Sequence, residues 1–199
     1  MDQYDRGRRL EGNRSPRWDR MAFVWGLLEA VTLFIVPDTW ISRRALISSR
    51  AGLVAVYSAL PGAILGGVAI YLASVRLHTE ILAFYDWLPG IGPKLIAKAG
   101  DQLEQSGALA LFLGGYTGTP YKLYAAQASA TGIGLTAFVA VSVISRGSRF
   151  LFSAVISSLI GRLGRRFGIR LSIMLWLHAV VWILFYAFYW TAMAEWQLD

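Results

Sequence analysis

The chain has 199 residues, 56% hydrophobic and only 16% charged, with a formal net charge of +7 and no cysteine. A soluble domain of this size carries about 25% charged residues, so the composition points to an integral membrane protein. The missing cysteine excludes disulfides, thiolate metal sites and a cysteine nucleophile, and because the basic residues flank or interrupt apolar runs, positive-inside topology and anionic headgroups explain the charge better than nucleic acid does.

Residues 1–20 hold six arginines against four acids and lack the apolar stretch and cleavage site of a signal peptide. They are read as a retained basic cytosolic tail. Met21–Val36 is apolar apart from Glu29 and closes at Pro37-Asp38. Sixteen helical residues reach about 24 Å, short of a hydrocarbon core of roughly 30 Å, so 21–37 is expected to be re-entrant. A transmembrane helix follows over 45–74, with a kink expected at Pro61-Gly62. The spacing Gly62-x-x-x-Gly66 lets helices approach closely and fits ordinary helix packing and a homo-oligomer equally. Residues 76–106 begin mixed and pass a turn-rich break, Asp86-Trp-Leu-Pro-Gly-Ile-Gly-Pro93. They end in an interfacial amphipathic helix with Leu95, Ala99 and Leu103 on one face.

The most informative stretch is 107–131. It is apolar enough for a bilayer, yet Gly114, Gly115, Gly118, Pro120 and Lys122 break it in the middle. Each half is about ten residues, or about 15 Å of helix, and broken backbone at membrane depth is tolerated only under cover of protein or around a water-filled cavity. A second re-entrant hairpin is therefore expected, broken at Gly115, Gly118 and Pro120 as the first is at Pro37. A transmembrane helix over 133–161, a basic loop over 162–170 and a C-terminal transmembrane helix over 171–193 complete the chain. The fold class expected is an all-α integral membrane protein: an inverted repeat of re-entrant hairpin plus transmembrane helix, with an additional C-terminal transmembrane helix.

Arg162, Arg165, Arg166 and Arg170 mark 162–170 as cytosolic. Working backwards, 76–106 lies outside and Arg43, Arg44 and Arg50 lie in the cytosol, with the N-terminus cytosolic and the C-terminus outside. A five-span arrangement would put Arg43, Arg44 and Arg50 outside. Inverted repeats with discontinuous helices are characteristic of secondary transporters, whose sites lie at the midplane between repeats.

Charges inside apolar runs are the candidate functional groups, because an isolated charge at depth costs at least a few kcal/mol. Glu29 reads as a proton carrier, against a structural pair with an arginine. Asp38 reads as its companion or as a cap for the next segment. Arg146 and Arg149, at i and i+3, read as a fork for phosphate, against snorkelling to the headgroups. Lys122 is a third cation, and Tyr116, Tyr121 and Tyr124 either line the site or form an interfacial belt. His78 and His178 lack carboxylate companions, which leaves packing or interfacial roles. No nucleophile elbow, phosphate loop, zinc or haem motif is present, so neither an enzyme nor a metal or other cofactor is expected.

Three separated motifs carry a resemblance: Trp25-Gly-Leu-Leu-Glu29-Ala with Phe34-Ile-Val-Pro37-Asp38, then Gly115-Tyr-Thr-Gly118-Thr-Pro120-Tyr121-Lys122, then Ser145-Arg146-Gly-Ser-Arg149-Phe150. Over about residues 21–165 the chain resembles the DedA (VTT-domain) membrane proteins, in the branch with Gly-Thr-Pro-Tyr-Lys in its second hairpin. The resemblance implies opposed re-entrant hairpins and a place in the bacterial inner membrane. It also implies transport of lipid-linked phosphates or phospholipids, in bacterial members the return of undecaprenyl phosphate to the inner leaflet, dependent on proton-motive force. The family's acidic pair corresponds to Glu29 and Asp38. Better-studied members carry Gly-Arg-Phe-x-Pro-x-x-Arg where this chain has Tyr116-Thr-Gly-Thr-Pro120-Tyr-Lys122, so Lys122, Arg146 and Arg149, with Tyr121, are expected to take the phosphate. The alternatives are an uncoupled phospholipid scramblase and a membrane assembly or structural protein that moves no lipid.

Overall fold

In a computed structural model the described residues, 18–198, are 83% helical and contain no strand. They form α1 (Arg20–Val31), α2 (Asp38–Ile47), α3 (Ser49–Trp87), α4 (Pro93–Ser106), α5 (Ala108–Thr117), α6 (Tyr121–Gln127), α7 (Leu135–Arg166) and α8 (Leu171–Leu198). Three of these, α3, α7 and residues Leu171–Thr191 of α8, are long and apolar enough to cross a membrane. Most of the basic tail expected over 1–20 lies outside the described residues.

Local chemistry sets the helix ends. Asp19 caps α1 by accepting the Ala22 N–H at 3.1 Å, and Ser48 caps α3 by accepting that of Ala51 at 3.0 Å. Pro37 and Pro120 each stand immediately before a helix, α2 and α6, where a missing N–H costs nothing. The end of α5 needs the left-handed backbone that glycine supplies, at Gly118 with φ +85°. The amphipathic α4 buries the expected Leu95, Ala99 and Leu103.

Packing crosses over between the two broken pairs. Helix α1 lies along α3 and α5 along α7, whereas α6 packs on α3 and α2 packs on α7 as well as on α3. The α1–α3 contact is backbone to backbone. A Cβ on Gly26 would collide with the Ala59 carbonyl, and one on Gly62 with the Phe23 carbonyl. That is the close approach expected of Gly62 and Gly66, used here within the chain.

Several boundaries differ from expectation. The first break is followed by a second limb, α2, whose polar sequence (Asp38, Arg43, Arg44) masked it. It buries Asp38, Ile41, Ser42, Ala45 and Leu46, a helical stripe facing α3 and α7. Helix α3 starts at Ser49 rather than at 45. It continues past 74 through the mixed segment to Trp87, and its non-helical dihedrals fall at Leu77 (φ −118°, ψ 39°). Pro61 sits inside α3 with no such break, since its fixed φ is itself helical and its cost is one missing N–H. Helix α7 extends from Leu135 to Arg166, leaving only 167–170 as the basic loop.

Candidate functional site

The two breaks, residues 32–37 and 118–120, meet between the long helices and bring the five expected charges together. Arg146 of α7 donates from Nη2 to both carboxylate oxygens of Glu29 on α1, at 2.7 and 3.0 Å. Both side chains are enclosed, at 5% exposure for Glu29 and 2% for Arg146. One helical turn along, Arg149 Nη2 lies 3.0 Å from Asp38 Oδ2, without hydrogen-bond alignment, while its Nη1 donates to the Gly115 carbonyl at 3.3 Å. Lys122, 1% exposed, reaches from α6 across to the end of α1. Its Nζ donates to the carbonyls of Thr32 (2.9 Å) and Leu33 (2.7 Å) and stands 4.9 Å above the Phe34 ring. The Thr32 carbonyl is an orphan acceptor at the C-terminal cap of α1, where a cation is favoured, and that of Leu33 follows it in the break.

Tyr121 braces the centre. Its ring lies 4.2 Å beneath the Arg146 guanidinium, and its hydroxyl donates to Ser142 Oγ at 2.9 Å. The other two tyrosines divide: Tyr124 donates to Gln102 Oε1 at 2.6 Å, tying α6 to α4, and Tyr116 pairs with Ser148. Pro37, Gly118 and Pro120 stand at the breaks, whereas Gly115, expected to break the hairpin, lies inside α5 and offers its carbonyl to Arg149. Among the described residues no cluster of His, Cys, Asp and Glu could hold a metal ion.

A cavity of about 150 Å³ opens against this cluster, lined by Glu29, Leu33, Gly118, Lys122, Arg149 and Tyr186 among others. Arg146 is not on its wall. The two arginines therefore do not form one fork. Arg149 and Lys122 face the cavity, and Arg146 stands behind Glu29 with Nε and Nη1 buried and without partners. Three cations against two carboxylates leave a single positive charge in the cluster. The arrangement can bind one monoanionic group beside Lys122 and Arg149. A proton on Glu29 would free the Arg146 guanidinium.

Sequence reasoning missed the contribution of α8. Trp182, Phe185, Tyr186 and Tyr189 close one side of the cavity, and the Tyr186 hydroxyl accepts the Val36 N–H of the first break at 2.9 Å. The i, i+4 aromatic spacing on α8 was the available signal. His178 of α8 bonds Ser42 Oγ at 2.7 Å, and His78 bonds the Ala126 carbonyl at 3.1 Å, so both histidines serve packing. Arg165, one of the arginines that mark 162–170 as cytosolic, donates to the Leu46 carbonyl at 2.8 Å and holds the end of α2.

The chain is similar to an uncharacterized protein of Haemophilus influenzae. The two are 25% identical over 150 residues, covering 70% of this chain and 73% of the relative. No family model matches the chain, and no solved structure does.

Proposed function

We propose that this chain is a DedA-like transporter of the bacterial inner membrane that moves an anionic lipid, undecaprenyl phosphate or a related lipid phosphate, between leaflets at the expense of a proton gradient. The observation that carries the reading is the enclosed cluster where two backbone breaks meet, with one positive charge in excess beside a cavity. Buried charge of this density in a membrane protein marks a substrate or proton path.

The packing supports an inverted repeat of two re-entrant hairpins. The first limb of each broken pair follows the long helix next after it in sequence, and the second limb crosses to the other long helix. A proline precedes both second limbs. In this reading Lys122 and Arg149 hold the phosphate and Tyr121 positions Arg146. Glu29, with Asp38, exchanges protons: protonation breaks the Glu29–Arg146 pair, and the freed guanidinium draws the phosphate inward. The site sits near the midplane, the N-terminus and 167–170 face the cytosol, and the C-terminus faces outward. No covalent step is involved.

Proteoliposomes carrying a labelled polyprenyl phosphate test this. Movement between leaflets that requires the protein and accelerates with an imposed pH gradient is expected. Movement indifferent to gradient and headgroup would instead indicate a scramblase. No movement by folded protein would indicate an assembly or structural role.

A further inference from the structure

A groove of about 500 Å³ runs between the first broken pair and α8, walled by Trp25, Ile35, Ala179, Trp182, Tyr186 and Trp190. Trp182 and Tyr186 also line the phosphate cavity, so the two spaces share a wall. From Leu175 to Trp190 the lining spans sixteen residues of α8, about 22 Å of helix and most of a hydrocarbon core of roughly 30 Å.

Most polar atoms of this wall are already engaged, the exception being Thr39 Oγ1, which is buried without a hydrogen-bond partner. Trp25 Nε1 donates to the Ile35 carbonyl at 2.7 Å, and Trp182 Nε1 donates to His178 Nε2 at 3.0 Å. His178 is bonded to Ser42, and the Tyr186 hydroxyl accepts from Val36. Apart from Thr39 and Arg43, what faces the groove is ring face and aliphatic carbon, which offers a hydrocarbon chain close contact. The one charged lining residue, Arg43, is exposed at the groove's end and stands 5.9 Å over the Trp40 ring.

We propose that this groove seats the hydrocarbon chain of the same lipid whose phosphate occupies the cavity, with the stacked Trp182–Tyr186 pair as the divider between chain and headgroup. The pair's ring centroids are 5.8 Å apart. The proposal rests on the lipid-phosphate reading above. Because lipid tails are as apolar as the groove, the seat gains its energy from packing rather than from the hydrophobic effect. The groove therefore acts on where the chain lies, not on how strongly the lipid partitions.

The test is photolabelling in phosphatidylcholine vesicles containing a little polyprenyl phosphate with a diazirine in its chain. Labels are expected on Ala179, Ile183 and Ile35. Excess unmodified polyprenyl phosphate should suppress them, and the uncharged polyprenol should not. Ala179→Trp fills the groove away from the cavity and should lower labelling several-fold; Leu175→Trp repeats the test from the other end should the first variant misfold. In parallel, geranyl phosphate should protect a cysteine introduced as Leu33→Cys on the cavity wall from alkylation. Failure of that protection overturns the phosphate reading and the groove with it. Protection together with labels spread evenly onto the exposed Leu184 and Phe188 overturns the groove alone.

Discussion

Replacing Glu29 by glutamine should destabilise the protein, because its carboxylate is the acid that the buried Arg146 guanidinium bonds. Arg146 is 2% exposed, and its Nη2 bonds both Glu29 oxygens at 2.7 and 3.0 Å while Nε and Nη1 find no partner. Glutamine keeps the shape, so no cavity contributes; the loss is that of one partner in a buried pair, about 3–5 kcal/mol. At about 2–4 °C per kcal/mol for a chain of this size, the melting temperature should fall by about 6–20 °C. Arg146→Met alone should cost a similar amount by stranding Glu29. The double variant Glu29→Leu/Arg146→Met removes both charges at once and should come close to wild type, since hydrophobic replacement of a whole buried pair is often neutral or stabilising. The assay is thermal unfolding of purified protein in detergent, followed by the fluorescence of its eight tryptophans. A Glu29→Gln protein that melts at or above the wild-type temperature would refute the reasoning, since it would mean that Arg146 does not depend on this carboxylate.

Lys122→Met should lower both stability and transport: it uncovers two carbonyls at the end of α1, at roughly 1.5–3 kcal/mol for each hydrogen bond to a charged group, read by the same melting assay and by leaflet-exchange rates. Arg149→Lys should weaken lipid-phosphate transport, by roughly 1.5–3 kcal/mol for one lost hydrogen bond of a charged group, whereas Arg166→Lys, on an exposed part of α7, should leave it unchanged; Arg165 is no control because it holds Leu46. A single cysteine placed as Ser49→Cys, which spares the Ser48 cap, should resist an impermeant thiol reagent in intact cells, and labelling there would place 42–50 outside and remove the two-hairpin topology.

The long apolar helices and the broken segments were legible because both follow from local physics: apolar length sets a span, and proline and glycine interrupt it. The five charges could also be named from sequence, since Glu29, Lys122, Arg146 and Arg149 stand in apolar runs where charge is expensive and Asp38 closes the first of them. Their pairing was not legible. Glu29 meets Arg146 across 117 positions of sequence, and Asp38 meets Arg149 through the crossing of α2 onto α7. Helix α2 itself hid behind its polar residues, whose buried face appears only once α3 and α7 are in place. The end of the span expected at 74 lies close to the break at Leu77 (φ −118°, ψ 39°); what was missed is that the mixed segment beyond it is helical to Trp87, because Arg76, His78 and Glu80 read as a connector although none of them opposes helix.

The double variant also separates structure from function at the centre of this account. If the Glu29–Arg146 pair only holds α1 against α7, the well-folded Glu29→Leu/Arg146→Met protein should move polyprenyl phosphate across proteoliposomes as fast as wild type. If the pair is the proton-gated element that admits the phosphate, the same folded protein should show no gradient-driven movement at all. The account predicts the second result, and wild-type rates in that variant would contradict it.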